Sequence, residues 1–272
     1  MSELVTARIR ANATRLGLPG IAADPAALAE RAEQATLGYL DFLDLALGEE
    51  TGLKDSRRAR AALNSSGLPH RKTLEEFDFA FQPSIDVRKI RDLATLAFVA
   101  GKANLALLGP PGTGKTHLAC SLAVAACHAG YTVFYTTLDD MVRRLRAADA
   151  AARLENQFKA YTRPALLVVD EVGYLPLDRA DANRVFQLIS QRYEKGSVII
   201  TSNKAFSEMG QVFADEVLAT AILDRLLHHC HVISINGPSW RLKGRISDLA
   251  GHGSDTSKPP AASHPGNADA VA

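Results

Sequence analysis

The sequence is poor in cysteine. Its 272 residues include three, Cys120, Cys127 and Cys230, and none forms a CxxC pair. So sparse and odd a set excludes a disulfide framework and points to a reducing compartment. Long hydrophobic runs are also missing. No stretch of 18 apolar residues occurs, which excludes an ordinary membrane-spanning helix. The opening MSELVTARIR has no continuous apolar segment of the kind a secretory signal carries. These absences predict a cytoplasmic protein with no membrane partner. An excess of one charge is lacking too. Thirty-one Lys and Arg against 30 Asp and Glu leave +1, so any affinity for nucleic acid must come from local clustering. There is no internal repeat.

What is present is ordinary for a globular chain: 47% apolar and 22% charged residues. That composition excludes a wholly disordered or fibrous protein. The length accommodates one full-sized core and a smaller appended domain.

Residues 1–70 have helical periodicity and are expected to form a small N-terminal domain for DNA or a partner. Two stretches carry the pattern, Pro25–Gln34 and Leu37–Glu49. Asp24-Pro25 supplies a capping acid followed by Pro in the first turn. In the second stretch Leu40, Leu43 and Leu47, widened by Tyr39, Phe42 and Ala46, make an apolar face, with Asp41 and Asp44 opposite. Helices this short must pack on each other or on a partner. A basic stretch follows. Lys54, Arg57, Arg58, Arg60, Arg71 and Lys72 are interrupted by a single acid, Asp55, before Gly67-Leu68-Pro69 breaks the helix.

From residue 71 to 250 apolar strand-like runs alternate with helical segments. The runs are Asn104–Leu108, Thr132–Thr136, Leu166–Asp170, Val198–Ser202 and His231–Ile235; His117–Ala129 and Ala182–Tyr193 are helical in length and period. The alternation predicts a five-stranded parallel sheet with helices on both faces, an α/β fold. Residues 251–272 are rich in Gly, Ser, Pro and Ala and are expected to form a disordered tail.

Gly109-Pro110-Pro111-Gly112-Thr113-Gly114-Lys115-Thr116 matches the Walker A pattern, with an apolar strand before it and a helix from His117 after it. Backbone N–H groups of such a loop wrap a phosphate, and side chains at the glycines would block that approach. The helix N-terminus adds its dipole. Lys115 is expected to reach the β- and γ-phosphates of ATP, and Thr116 to ligate Mg²⁺. Downstream, Leu166-Leu167-Val168-Val169 ends in Asp170-Glu171. A buried parallel strand delivers such acids to the carboxyl edge of the sheet, where ligands bind. Asp170 is expected to hold the Mg²⁺ shell and Glu171 to polarise the attacking water. Alone, the pair would read equally well as caps for the next turn. Asn203, after Val198–Ser202, reaches the same edge, either to orient the water or to cap the strand.

Other groups are less telling. Arg225, on the amphipathic segment Ala219–Leu227, is a candidate arginine finger for a neighbouring subunit or the partner of an acid such as Asp224. Arg241, Lys243 and Arg245 read as solvated charges. His228-His229-Cys230-His231 resembles a metal cluster, yet adjacent residues point apart and cannot all turn to one ion. Cys120 and Cys127 share a helix face and read as core. Phe77 and Phe79 are expected to anchor the linker on the ATPase domain.

Over residues 16–246 the chain resembles the IstB-like family of AAA+ ATPases, the helper proteins of certain insertion sequences. The resemblance is carried by Leu16-Gly17-Leu18-Pro19-Gly20-Ile21, Arg71–Phe79, Gly109–Ala119, Asp170–Leu177 and Phe213–His229. It implies an AAA+ fold and nucleotide-dependent homo-oligomers on duplex DNA. It also implies a partner transposase that the helper stimulates or directs. By the same resemblance Arg225 is the arginine finger, Asn203 the first sensor, and the His pair a family signature. Helicase loaders of the DnaC type share the core, which leaves helicase loading as the alternative. Ala59 interrupts an otherwise denser basic run, and Trp240 stands where Tyr is more usual.

Overall fold

The computed structural model describes residues 3–243, Ala214 excepted; the expected tail at 251–272 and Arg245 lie outside them. Four helices come first: α1 (Glu3–Arg15), α2 (Pro19–Ala23), α3 (Pro25–Gln34) and α4 (Tyr39–Ser65). α5 (Val87–Ala94) and α6 (Ala97–Ala100) lead into the α/β core. There, β1 (Asn104–Leu108), α7 (Lys115–His128), β2 (Val133–Thr137), α8 (Leu138–Ala150), α9 (Leu154–Thr162), β3 (Leu166–Val172), α10 (Arg179–Arg192), β4 (Ser197–Ser202), α11 (Met209–Val212), α12 (Glu216–Leu227) and β5 (Cys230–Ser234) follow in turn.

The five strands form one sheet in the order β2-β3-β4-β1-β5, every pairing parallel. Each strand falls within two residues of the run that the sequence indicated. The central strands β1, β3 and β4 are apolar because helices cover both faces, whereas the edge strand β5 leaves His231, Val232 and Ser234 exposed. On one face α8, α9, α10 and α12 bury Met141, Leu145, Phe158, Leu188 and Ile222 against Leu167, Val169, Val198 and Ile200. On the other, α5 and α7 bury Ile90, Leu118 and Leu122 against Leu105, Leu107, Val168 and Ile199. Cys127 belongs to this packing, and Cys120 is buried as well. Burial pushes the Cys120 thiol up to about 12 and Cys127 to about 11, so neither is a ready nucleophile.

The helical segment departs from its expected form in one respect. The second stretch does not end at Glu49: α4 runs unbroken for 27 residues through the basic cluster. Ala59 is buried, and Ala62 and Leu63 pack against the α7 side of the core. Ala59 therefore interrupts the basic run because it lies on the buried side of the helix, while Lys54, Arg57, Arg58 and Arg60 stay exposed. At its other end α4 is gripped by α2 and α3, where Glu50 accepts the Gly20 N–H at 2.7 Å and Arg31 meets Glu49 at 2.7 Å. The short α1–α3 offer few large side chains. Of the expected apolar face only Ala46 is buried; Tyr39, Leu40, Leu43 and Leu47 remain exposed.

β2 is an edge strand, and an edge presents unpaired backbone groups. Here the chain leaving α4 covers it: the Tyr135 N–H donates to Ser66 O at 2.7 Å.

Candidate functional site

The cleft opens at the carboxyl ends of the strands, where β1 and β4 lie side by side although the chain leaves β1 for the far edge of the sheet. Its volume is about 520 Å³, within the range of small-ligand sites. Gly112, Thr113, Gly114, Lys115, Thr116 and His117 line it, with Asp170 and Glu171. Gly109, Pro110 and Pro111 stand behind the lining.

The loop leaves no room for side chains. Gly112 has φ +81°, and a methyl group there would lie 2.0 Å from the Ser239 hydroxyl. Gly114 has φ +93°, and a methyl would lie 2.6 Å from the Phe77 ring. Lys115 lies against its own loop, donating to Gly109 O at 2.6 Å and Pro110 O at 2.7 Å. It is buried, and that burial draws its pKa down, with Arg241 adding to the effect and Asp170 opposing it.

The acids reach the cleft by a backbone irregularity. In a regular strand, successive residues face opposite sides, so Asp170 and Glu171 could not both line one cleft. The register between β3 and β4 shifts between Val169 and Val172, placing two residues opposite the single Thr201. Glu171 takes a left-handed φ of +61°, and its N–H is held by Thr201 Oγ1 at 3.0 Å. Such a conformation costs about 1–3 kcal/mol in a non-glycine residue; it leaves the Glu171 carboxylate exposed while Asp170 is buried.

Asp170 is surrounded by hydroxyls. Thr116 Oγ1 lies 3.0 Å from both its oxygens. The Tyr135 hydroxyl donates to Oδ2 at 2.7 Å, and Thr201 donates to Oδ1. Burial, then the hydrogen bond to Asp170, pushes the Tyr135 phenol well above its usual range, so it stays protonated. A carboxylate beside a hydroxyl of the loop–helix junction is a donor set of hard oxygens, suited to Mg²⁺. The residues present fit that ion, with Thr116 and Asp170 as its holders.

Two segments close the other end of the cleft. Residues 77–84 and 236–243 are latched by Gln82 Nε2 to Pro238 O at 2.7 Å, the Asn236 N–H to Ser84 Oγ at 3.0 Å, and Lys243 to Asp78 at 3.4 Å. Phe81 and Trp240 meet edge to face at 4.9 Å, and Lys243 Nζ lies 4.0 Å from the Trp240 ring centre. The Trp240 N–H donates to Gly112 O at 2.9 Å, so this segment rests on the phosphate loop itself. Phe77 is buried and packs on Phe79 and on the His117 ring. His117 is further tied to Thr73 O through Nε2 at 3.1 Å. Phe77 and Phe79 thus hold the linker against α7, as expected.

Asn203 and Arg225 do not line this cleft. Asn203 follows β4 with Oδ1 buried and without a partner among the described residues. Arg225 is half-buried on α12. Its guanidinium lies 4.7 Å from the Phe186 ring centre and donates to Ala221 O at 3.1 Å. Asp224 forms no ion pair with it among the described residues. Two of the clustered histidines converge more than adjacency suggested: His228 and His229 bring ligand atoms within 4.8 Å of each other and of Glu194. All three are exposed, and His228 Nδ1 already contacts the Tyr193 hydroxyl at 2.9 Å.

Sequence reasoning missed Tyr135, Thr201, Phe81 and Trp240. Thr201 lay in a run already noted for its polar end, and Trp240 is the single tryptophan. Nothing local marks Tyr135, which reaches Asp170 only through the pairing of β2 with β3.

The family described as IstB-like ATP binding protein matches residues 11–248. The chain belongs to that family. Among IstB-like relatives, the putative ATP-binding protein of insertion sequence IS5376 from Geobacillus stearothermophilus is 44% identical over 236 residues, covering 87% of this chain and 94% of the relative. The corresponding IS21 protein of Pseudomonas aeruginosa is 46% identical over 230 residues, covering 85% and 87%. Two solved structures share the AAA+ P-loop fold. AMPPCP-bound DnaA from Aquifex aeolicus has a TM-score of 0.51 at 22% identity, covering 68% of this chain and 57% of DnaA. DnaI has a TM-score of 0.51 at 21% identity, covering 62% and 90%. The matched family is described as one of ATP-binding proteins, and both relatives are named as putative ATP-binding proteins of insertion sequences. No helix among its described residues is long and apolar enough to cross a membrane.

Proposed function

We propose that this IstB-like protein hydrolyses ATP with Mg²⁺, assembles as a homo-oligomer on duplex DNA, and there stimulates or directs the transposase of its element. The observation that carries the reading is the convergence of Lys115, Thr116, Asp170 and Glu171 on one cleft. The insertion-sequence relatives supply the transposition context.

The chemistry follows from the side chains. Lys115 leaves the Gly109 and Pro110 carbonyls for the β- and γ-phosphate oxygens, trading neutral acceptors for charged ones. The loop N–H groups from Gly112 to Thr116 hold the remaining phosphate charge at the N-terminus of α7. Thr116 and Asp170 would hold Mg²⁺, which would supply positive charge against the phosphates. Glu171 stands exposed beside Asp170 and takes the proton of the attacking water. Asn203 orients that water from the end of β4. Arg225 lies outside the cleft lining, so it serves a neighbouring protomer. Turnover then depends on assembly. Phe81 and Trp240 face the base end of the cleft.

DNA contact falls to the exposed cations of α4, which neutralise phosphates without reading bases. The test is ATP turnover with and without duplex DNA in the wild type, Glu171→Gln and Arg225→Ala. DNA-stimulated turnover abolished by both substitutions, with ATP still bound, is the expected result. ATP binding without turnover under any condition would make the chain a nucleotide-held scaffold. Full activity in Arg225→Ala would remove the subunit-interface mechanism.

A further inference from the structure

Asp170 accepts from hydroxyls on three different elements. Thr116 on α7 belongs to the metal-holding set already described. The other two come from the strands that flank β3. Tyr135 comes from β2, on one side of β3, and donates to Oδ2 at 2.7 Å; Thr201 comes from β4, on the other side, and donates to Oδ1. Each carboxylate oxygen therefore has its own flanking hydroxyl. Neither hydroxyl is free to serve elsewhere: Thr201 Oγ1 also receives the Glu171 N–H at 3.0 Å, and Tyr135 is packed at the strand edge, its N–H on Ser66 O at 2.7 Å.

From this we infer that Tyr135 and Thr201 are positioning residues that fix the plane of the Asp170 carboxylate, and so set how strongly the site takes Mg²⁺ with its nucleotide. The inference rests on the ATP–Mg²⁺ reading above. A carboxylate accepts about four hydrogen bonds. With one donor locked on each oxygen it cannot rotate about its terminal bond, and its remaining lone pairs point toward Thr116. A lone Asp at the end of a strand would be free to turn, because that terminal torsion is broad. Outer-shell partners of this kind typically matter about 10–100-fold in metal affinity. Thr201 has a second duty. Its oxygen holds both the buried acid and the backbone of the exposed one, so one hydroxyl sets the spacing of Asp170 and Glu171 across the bulge. Tyr135 adds a tie to the N-terminal helix, since its strand is held to the residue that follows α4.

The substitutions are Tyr135→Phe, which keeps the ring, Thr201→Val, which keeps the shape, and Thr201→Ser, which keeps the hydroxyl. The single tryptophan, Trp240, lines the cleft and reports nucleotide binding by fluorescence. ATP is titrated in EDTA, and then Mg²⁺ is titrated at fixed ATP. The expected result is unchanged ATP affinity in EDTA for all three variants. The Mg²⁺ half-point rises about tenfold in Tyr135→Phe and Thr201→Val and stays at the wild-type value in Thr201→Ser. An unchanged Mg²⁺ half-point in Tyr135→Phe and Thr201→Val would overturn the inference. So would an equal loss of ATP affinity in EDTA, since that is the signature of a merely structural role. Failure of the wild type to bind ATP would instead overturn the ATP–Mg²⁺ reading itself.

Discussion

Removing the exposed cations of α4 is the sharpest test of the DNA assignment, because the structure sets its size. Lys54, Arg57, Arg58 and Arg60 are all exposed and pair with no acid among the described residues. Each is therefore available to neutralise one phosphate. Four such contacts give a slope of log affinity against log salt of about −3.6 on duplex DNA. Affinity then falls about 150-fold between 50 and 200 mM salt. Changing Arg57, Arg58 and Arg60 together to Gln leaves one contact, a slope of about −0.9 and a fall of about threefold over the same range. Gln keeps helix propensity close to that of Arg, and exposed changes of this kind move stability by no more than about 0.5 kcal/mol. The variant therefore remains folded and binds ATP normally. Fluorescence anisotropy of a labelled duplex across a salt series measures the slope directly. A triple variant whose slope matches the wild type would refute the reasoning and move the DNA surface off α4.

Three further outcomes are expected. Arg192 is buried with no carboxylate partner among the described residues; its guanidinium holds Tyr161 O at 2.8 Å, Pro164 O at 2.9 Å, Ala165 O at 3.1 Å and Ser197 O at 2.7 Å. Burial lowers its pKa to about 10, which leaves it charged at neutral pH. Arg192→Met strands those carbonyls at the roots of β3 and β4, at a cost of roughly 4 kcal/mol. Calorimetry should show melting lowered by about 10 °C, with Arg192→Lys restoring little because an ammonium cannot fork. Gly112→Ala places a methyl against Ser239 in a left-handed conformation. The loop relieves about 1–2 kcal/mol of strain by leaving this conformation, and ATP affinity read from Trp240 should fall about 5- to 30-fold. The His70 pKa is lowered, first by burial and then by His117 and Lys72. For a base lowered in the folded state, the unfolded chain takes up its proton first. Stability is therefore lost as pH falls below about 6.5 toward the folded value. His70→Gln should flatten part of the decline in melting temperature between pH 7 and 5. A parallel decline in both proteins would assign it to other groups.

The chain's own pattern determined a good deal. Walker A is a local motif whose chemistry depends on residue type and spacing, so its loop, its lysine and its threonine were legible without a fold. The central strands β1, β3 and β4 were legible because burial on both faces makes each a short, largely apolar run. Asp170 could be placed at the sheet edge because it ends such a run. Tertiary structure decided the rest. Tyr135 and Thr201 meet Asp170 only because β2, β3 and β4 pair in parallel, and no local period encodes which strands become neighbours. Glu171 joins Asp170 in one cleft through a bulge, a displacement of a single residue that alternation alone would deny. Trp240 lies beside the phosphate loop across a long stretch of chain. Ala59 looked like a gap in a basic run until α4 was seen to turn it against the core. Periodicity states which residues share a face, but what that face meets, or leaves bare as at Leu40 and Leu43, is settled only by the packing of the whole chain.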